Sequence, residues 1–305
     1  MIFVTGAKGT LGSYLKKVFD ERELYLTDCR VNSALPECLL SATTSKVNSA
    51  ATDINFLDIR DPEAVKKEIS KVNPQFVFHL AAKTNVDKCE TEIEDAHLVN
   101  VIGTQNVALA CQETGAIMVY IGTTEVFDGN KNEPYTEFDE PHPINIYGKT
   151  KFEGEKIVQN ILNKYYIIRT CWMFGGKEKD NKFVGKIVKL FKEKEKIQVV
   201  DDKIGSPTYA YDLIAAIKEL IKTGYYGLYH FTNKGSCSRY EMAREIGRIL
   251  GKNIPVEPVS SSLFPLPAPR GKSAASRNYK LELLNIINAR TWQDALREYL
   301  ESWTI

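Results

Sequence analysis

The chain has 305 residues, and its 40 Lys and Arg against 39 Asp and Glu give a formal net charge of +1. This near-neutral charge argues against a general nucleic-acid-binding protein, and an apolar share of 43% with a charged share of 26% is ordinary for a globular protein. No apolar run reaches the length of a membrane span, and the N-terminal segment lacks the basic region and cleavage site of a secretory signal, so we expect a cytoplasmic protein.

Six cysteines are spread along the chain without a Cys-x-x-Cys pair, and none stands near a histidine at zinc-finger spacing. The four histidines are not clustered either. This pattern predicts reduced thiols, with neither a disulfide framework nor a metal site.

The first half of the chain alternates short apolar strands with helices. Strands are predicted at residues 2–5, 24–27, 54–57, 76–80, 117–121 and 165–169. Helices are predicted after the first strand, from Asp61-Pro62, over about 93–114, and around Tyr147. Residues 29–52, rich in Ser, Ala, Thr and Asn, are interpreted as a long surface excursion. This βαβ alternation predicts an α/β fold with a doubly wound parallel Rossmann sheet.

The pattern changes beyond about residue 170. Helices are predicted over about 183–194 and 211–223, with a strand at 197–200 between them. Ser238 and Glu241 form a capping box that opens another helix, and Thr291 and Asp294 resemble a second one in the final helical tail. We expect these segments to form a smaller C-terminal lobe over the carboxyl edge of the sheet, where ligands bind in such folds.

We therefore divide the chain at residue 170. Residues 1–170 are predicted to form an NAD(P)-binding Rossmann domain, with returning segments from the C-terminal half. Residues 171–305 are predicted to be mainly a substrate-binding lobe.

A glycine-rich turn directly follows the first predicted strand and opens a helix. Gly6, Gly9 and Gly12 let the backbone come close to a pyrophosphate, and the helix N-terminus favours its negative charge. In this context the turn predicts a dinucleotide site. The residues of the turn that we assign to the cofactor are Gly6, Lys8, Gly9, Thr10, Leu11 and Gly12.

Two features near the second strand point to different cofactors. Asp28 ends this strand, and a carboxylate there can accept a hydrogen bond from a ribose hydroxyl, which favours NAD. Lys8 and Arg30 lie close enough in sequence to meet a 2′-phosphate, which favours NADP. Both NADH and NADPH stay open at this point.

Tyr147 and Lys151 are four residues apart in a predicted helix, so their side chains lie on one face. Ionising a free tyrosine at neutral pH costs roughly 4 kcal/mol, because its pKa is about 10. An ammonium about 4 Å away offsets roughly 4 kcal/mol at an effective dielectric constant of about 20. The spacing therefore indicates a tyrosine whose pKa is lowered by its lysine neighbour and that exchanges a proton near neutral pH.

Thr123 ends a predicted parallel strand at the carboxyl edge of the sheet. A hydroxyl at this edge can donate a hydrogen bond to a substrate carbonyl. Together with Tyr147, Lys151 and the dinucleotide turn, Thr123 favours hydride transfer to or from a carbonyl.

With these residues in place, the sequence resembles the extended short-chain dehydrogenase/reductase superfamily and, within it, the dTDP-4-dehydrorhamnose reductase family. The resemblance covers nearly the whole chain. The segments that carry it are residues 5–12, residues 79–90, Val126-Phe127-Asp128-Gly129, Tyr147-Gly148-Lys149-Thr150-Lys151, Arg169-Thr170-Cys171-Trp172 and Gly205-Ser206-Pro207-Thr208.

This resemblance implies an NAD(P)H-dependent reductase of a nucleotide-linked 4-keto-6-deoxyhexose, acting in deoxysugar and surface-polysaccharide synthesis. It implies that Tyr147 protonates the sugar C4 oxygen, that Lys151 binds the nicotinamide ribose and lowers the tyrosine pKa, and that Thr123 positions the keto oxygen. The lobe would then bind the nucleotide sugar, and a homodimer is left open.

The resemblance implies further binding residues. For the cofactor they are Asp58, Ile59, Ala81, Ala82 and Thr84. For the substrate they are Val86, Asp87, Thr123, Thr124, Trp172 and Arg270. The guanidinium of Arg270 would reach the nucleotide diphosphate, which suits its planar fork.

The chain departs from the family pattern near the site. The family commonly reads Ser-Thr-Asp-Tyr where this chain has Gly122-Thr123-Thr124-Glu125, and Arg-Pro where it has Arg270-Gly271. The identity of the sugar therefore stays open. One alternative is a non-catalytic NADP-binding subunit like the regulatory subunit of methionine adenosyltransferase. Another is a nucleotide-sugar epimerase or dehydratase, in which Tyr147 and Lys151 would be shared.

Overall fold

A computed structural model describes residues 1–30, 54–177 and 180–303. All but the first two residues of the predicted excursion at 29–52 fall outside these ranges. The strands, in chain order, are β1 (Ile2–Thr5), β2 (Leu24–Asp28), β3 (Ile54–Phe56), β4 (Phe76–His79), β5 (Ile117–Thr123), β6 (Tyr165–Thr170), β7 (Met173–Phe174), β8 (Ile197–Val200), β9 (Ile204–Gly205), β10 (Thr208–Tyr209), β11 (Gly227–His230), β12 (Cys237–Ser238), β13 (Val256–Val259) and β14 (Ser273–Ala274).

The helices flank these strands. In chain order they are α1 (Gly12–Val18), α2 (Pro62–Val72), α3 (Val86–Thr91), α4 (Ile93–His97), α5 (Gly103–Thr114), α6 (Ile146–Ile161), α7 (Phe183–Glu193), α8 (Ala210–Thr223), α9 (Arg239–Ile249), α10 (Tyr279–Leu283) and α11 (Trp292–Glu301). None of the helices in the described ranges is both long and apolar enough to cross a membrane.

Seven strands form one central sheet in the order β11-β6-β5-β4-β1-β2-β3. Every neighbouring pair is parallel, so all carboxyl ends meet at one edge. Both faces of this sheet are buried. In β1, Ile2 and Val4 pack into an apolar core on one face, and Phe3 packs into a second core on the other. The predicted doubly wound parallel sheet is confirmed.

The strand β11 was not predicted. It has only four residues and begins with Gly227, close behind the glycine that ends α8, so it carries little strand signal. It nevertheless pairs with β6 along its whole length and completes one side of the sheet.

Capping side chains fix several predicted helix starts. The Asp61 carboxylate accepts a hydrogen bond from Ala64 N at 3.1 Å, with Pro62 in the first turn of α2. Ser238 and Glu241 make both bonds of the predicted capping box at the start of α9. Thr291 Oγ1 accepts from Asp294 N at 3.2 Å, which confirms the predicted start of α11.

The predicted helix over about 93–114 is present, but its middle differs from a regular α-helix. Residues Leu98–Ile102 form a π-helical turn between α4 and α5. The buried Asn100 lies in this wide turn, and its side chain bonds both backbone groups of Lys83, accepting from N at 2.8 Å and donating to O at 3.1 Å. It also donates to Thr150 Oγ1 at 3.1 Å. One side chain thus joins the loop after β4 to helix α6.

The C-terminal part of the chain adds three short sheets, β8 with β13, β9 with β12 and β14, and β7 with β10. Because β11 returns to the central sheet from this part, the chain crosses between the two regions more than once. The division at residue 170 remains a prediction.

Candidate active site

The start of helix α6 is fixed by two side chains. Asn145 caps it, with Oδ1 accepting from Gly148 N at 2.7 Å, and Glu90 Oε1 accepts from Ile146 N at 2.7 Å. Asn145 also donates to Glu125 Oε2 at 2.9 Å, which ties the helix to the loop after β5. These bonds hold the first turn of α6, and Tyr147 within it, against the carboxyl edge of the sheet.

Tyr147 and Thr123 are brought together at this edge. The Tyr147 phenol lies close enough to the Thr123 side chain for that hydroxyl to lower its pKa, and Thr123 is buried at the end of β5. Thr123 Oγ1 accepts from Glu125 N at 3.2 Å, so its own proton is left to donate. Two hydroxyl groups therefore lie near each other at the sheet edge, an arrangement that can bind a carbonyl oxygen.

Burial raises the pKa of Tyr147, and only the Thr123 hydrogen bond opposes this shift. This is opposite to the direction predicted from the four-residue spacing. The reason is the position of Lys151, whose Nζ lies over the Tyr120 ring, 3.9 Å from its centroid. The removal of the phenol from water outweighs the influence of its helical neighbour.

Lys151 itself is only 3% exposed. Burial lowers its pKa to about 7, and the nearby carboxylate of Glu155 counteracts this shift. A lysine with such a pKa changes its charge state near neutral pH, which suits a group that supports proton transfer.

A buried ion pair beside Lys151 was missed by the sequence reasoning. Glu155 accepts from Arg169 Nε at 3.1 Å and from Arg169 Nη2 at 2.7 Å, and both side chains are almost fully buried. Glu155 follows Tyr147 and Lys151 on the same helix face. Two signals could have indicated the pair. Glu155 lies four residues after Lys151, and Arg169 is a charged residue inside the apolar strand β6.

The glycine turn has the shape that a dinucleotide needs. Gly6 has a φ of +71°, and a Cβ there would lie 2.6 Å from Ala81 N, so only glycine fits. The backbone N–H groups of Thr10 and Leu11 have no acceptor among the described residues. Such free donors next to the start of α1 fit a pyrophosphate.

The structure gathers Lys8, Asp28 and Arg30 beside this turn. The buried Asp28 carboxylate accepts from Lys8 N at 2.9 Å and from Arg30 Nε and Nη2, each at 2.9 Å. Burial opposes ionisation, but these hydrogen bonds and the guanidinium together hold the pKa of Asp28 below its usual value. Lys8 Nζ donates to the backbone O of Arg30 at 2.7 Å, so the ammonium of Lys8 lies beside Arg30 just after the end of β2.

The other predicted cofactor residues follow strands at the same edge. Asp58 follows β3, where its carboxylate accepts from Arg60, and the side chain of Ile59 is buried next to Gly103 of α5. Ala81 and Ala82 follow β4 and are partly buried, whereas Thr84 is exposed. Their assignment to the cofactor remains a prediction.

Two predicted substrate residues meet across the chain. Arg270 Nη2 donates to Asp87 Oδ1 at 3.1 Å, although they are 183 positions apart. Asp87 follows Val86 in the first turn of α3, and its carboxylate also accepts from Ala268 N at 3.3 Å. The proline-rich segment at residues 264–269 is thereby attached to α3. It is placed as a cover would be over the crevice at the carboxyl edge of the sheet.

Thr124 is enclosed within the protein, whereas Trp172 lies against a charged side chain. Thr124 is buried, with its hydroxyl against the thiol of Cys171. Trp172 follows β6 with a φ of 37°, and the guanidinium of Arg239 lies 3.5 Å from the centroid of its ring. Arg239 carries no recognisable signal in the sequence, because only the fold brings α9 to this ring.

Three comparisons define the relatives of this chain. The family model described as RmlD substrate binding domain matches residues 1–305. The spore coat polysaccharide biosynthesis protein SpsK of Bacillus subtilis (strain 168) is 36% identical over 246 residues, 81% of this chain and 86% of that protein. A solved dTDP-4-dehydrorhamnose reductase of Clostridium acetobutylicum is 37% identical with a TM-score of 0.85, covering 99% of this chain and 98% of its own.

A solved dTDP-4-dehydrorhamnose reductase of Bacillus anthracis, in complex with NADP, is 36% identical with a TM-score of 0.85, covering 99% of this chain and 98% of its own. The resemblance stated from the sequence motifs is therefore confirmed. Matched over its whole length, the chain belongs to the RmlD substrate binding domain family, with dTDP-4-dehydrorhamnose reductases as its relatives.

Proposed function

We propose that this protein is an NADPH- or NADH-dependent reductase of a nucleotide-linked 4-keto-6-deoxyhexose, with dTDP-4-dehydrorhamnose as the first candidate substrate. The observation that carries the proposal is that the Tyr147 phenol lies next to the Thr123 side chain. Both lie at the edge of the sheet where the glycine turn follows β1. We place the protein in the cytoplasm, in deoxysugar synthesis for surface polysaccharide, in keeping with its spore coat relative.

The reduction adds a hydride and a proton to a carbonyl group. A bound reduced nicotinamide supplies the hydride. Tyr147 donates its hydroxyl proton to the sugar C4 oxygen, and Thr123 holds this oxygen with a second hydrogen bond. Lys151 would bind the cofactor ribose, and its pKa of about 7 lets its ammonium group release or take up a proton near neutral pH.

NADPH is the better candidate of the two cofactors. The oxygens of Asp28 already accept hydrogen bonds from Lys8 N and the Arg30 guanidinium, which weakens the case for a ribose hydroxyl there. The Arg30 side chain is still 60% exposed, so it can present its charge to a 2′-phosphate. The NADP bound to the Bacillus anthracis relative supports the same choice.

The alternatives are not favoured. A non-catalytic subunit has no need of the assembled hydroxyl pair and buried lysine, and an epimerase or dehydratase does not match the named relatives.

We also propose that two copies of the chain associate. Leu98, Ile102 and Leu109 lie along the helical segment that contains the π-turn, and they are 46%, 41% and 41% exposed. An exposed apolar stripe of this kind favours a protein contact, and a second copy is the simplest partner. Sedimentation analysis should show a dimer for the wild type and a monomer for Ile102→Glu.

The function is tested with purified protein, dTDP-4-dehydrorhamnose, and NADPH or NADH in parallel. We expect oxidation of the cofactor, a new C4 hydroxyl visible by NMR of the product, and a higher kcat/KM with NADPH. A related panel of nucleotide 4-keto sugars shows whether another sugar is preferred. If no nucleotide 4-keto sugar causes oxidation of either cofactor, the proposal is wrong.

A further inference from the structure

Arg239 occupies an unusual position for a charged side chain. It is the first residue of α9, and its guanidinium carbon lies 3.5 Å from the centroid of the Trp172 ring and 4.6 Å from that of Phe183. Contact with two aromatic rings fixes the plane of the guanidinium. Its N–H groups, which lie in this plane, can then bind a ligand at a fixed angle.

This position borders the proposed reaction centre. Trp172 comes two residues after Thr170, and Thr170 is the register partner of Thr123 in the neighbouring strand. Arg239 also lies within electrostatic range of Glu125, which follows Thr123 closely, and of Arg270. It therefore belongs to the lobe and lies near the loop that follows the catalytic threonine.

Arg239 has no ion-pair partner within the ranges that the structure describes. Burial lowers its pKa to about 10, so the side chain is still charged at neutral pH. Arg270 differs, because the carboxylate of Asp87 already takes part of its hydrogen-bonding capacity. A partly enclosed guanidinium without a carboxylate is costly unless a ligand supplies the anion.

The Trp172 ring acts as a support for this guanidinium. On another part of the ring lies Gly205, where a Cβ would be 2.4 Å from Trp172 Cε2. Gly205 and Arg239 both lie against the ring, which reduces the surface that Trp172 can offer for stacking on a sugar. The predicted substrate contact of Trp172 is thus better made by the arginine that it supports.

We propose that Arg239 is a specificity-determining residue that binds the diphosphate of the nucleotide-sugar substrate, with Trp172 as its support. This inference rests on the proposed function. A nucleotide-linked 4-keto-6-deoxyhexose carries its negative charge on the diphosphate, and a guanidinium fork binds phosphate oxygens through two parallel hydrogen bonds. Arg270 then has the secondary role of holding the proline-rich segment through Asp87.

The test compares Arg239→Gln and Arg239→Lys with Arg244→Gln, which removes a charge from the exposed side of the same helix. Calorimetry measures binding of dTDP, UDP and GDP to each NADPH-saturated protein, and NADPH binding itself reports the folded state. We expect Arg239→Gln to weaken binding of the preferred diphosphate about tenfold or more, Arg239→Lys to weaken it less, and Arg244→Gln to leave it unchanged. In turnover, KM should rise while kcat changes little.

The outcomes separate the two proposals. If the wild type binds a diphosphate and reduces the 4-keto sugar, and both Arg239 variants bind that diphosphate equally well, the role of Arg239 is wrong and the reductase function stands. If the wild type binds none of the three diphosphates, the inference and the substrate class both fall. If Arg239→Gln does not fold, the comparison of Arg239→Lys with the wild type decides.

Discussion

The two sides of the crevice are built in different ways. On the catalytic side, Thr123, Tyr147 and Lys151 come from one strand end and one face of the helix that follows it. On the opposite side, here called the lobe side, Arg239 and Arg270 of the lobe and Asp87 of α3 come from distant parts of the chain and meet only in the folded molecule. The first arrangement keeps the reaction chemistry in a short continuous segment, whereas the second leaves substrate choice to segments that can change independently.

The charges of the two sides also differ. On the catalytic side the charged groups are buried, and Glu155 and Arg169 form an ion pair with hydrogen bonds from both Nε and Nη2 inside the protein. On the lobe side Asp87 and Arg270 are 34% and 23% exposed, and their pair is a single contact. Substitutions should therefore have large effects on the catalytic side and small effects on stability on the lobe side.

Tyr147→Phe should have the largest effect. It removes the proton donor while keeping the ring, so kcat should fall by about 10²–10⁴-fold with little change in NADPH affinity. Turnover assays and a fluorescence titration with NADPH measure the two quantities. Tyr165→Phe, at the opposite end of the sheet, is the matched control. Turnover of Tyr147→Phe close to that of the control would show that the acid is elsewhere.

Glu155→Gln should have the next largest effect, on stability. It leaves the guanidinium of Arg169 buried without its carboxylate, which should lower the free energy of unfolding by about 3–5 kcal/mol. Urea denaturation measures this loss. Glu153→Gln on the exposed side of α6 is the control, with an expected change below about 1 kcal/mol.

A double variant distinguishes the loss of the pair from the loss of a side chain. Glu155→Gln combined with Arg169→Met removes both charges, so it should recover part of the lost stability. If the single variant is as stable as Glu153→Gln, the buried pair does not hold α6 to β6.

Lys151→Met should change how stability depends on pH. In the folded protein the pKa of Lys151 is about 7, against 10.5 as its ordinary value. The cost of burying the charged lysine is thus full below about pH 7 and fades as pH rises towards 10.5, because the unfolded chain then holds more protons.

Relative to Lys151→Met, the wild type should therefore gain a few kcal/mol of unfolding free energy between neutral pH and pH 10. Denaturation of both proteins at several pH values measures this difference, with Lys149→Met on the exposed side of the helix as the control. A difference that does not vary with pH would mean that the lysine is charged throughout.

Asp87→Asn should have the smallest effect. The pair with Arg270 is partly exposed, so its loss should change the free energy of unfolding by less than about 1 kcal/mol. Thermal or urea denaturation measures this change. A loss as large as that expected for Glu155→Gln would show that this partly exposed pair stabilises the fold as much as the buried one does.

Much of the catalytic side could be predicted from the sequence because its signals are local. The strands, the glycine turn and the helix caps each depend on residues that are close together in sequence. The four-residue spacing of Tyr147 and Lys151 likewise places both side chains on one face of a helix. The direction of the Tyr147 pKa was wrong because burial depends on everything packed around a residue, including Tyr120, which the spacing does not describe.

The lobe side was less predictable for the same physical reason. Asp87 and Arg270 could be named through the family resemblance, but their contact with each other could not. Arg239 gave no signal at all, since an arginine at a helix start usually lies in solvent, and only the aromatic rings of other segments make it distinctive.

The π-helical turn at Leu98–Ile102 has a consequence for how this chain can vary over evolution. Deleting a single residue there would restore regular spacing and rotate Asn100 by about 100°, away from both backbone groups of Lys83. The loop after β4 and helix α6 would then lose the side chain that joins them. Insertions and deletions should therefore accumulate elsewhere, while the length of this one helix stays constant among functional descendants.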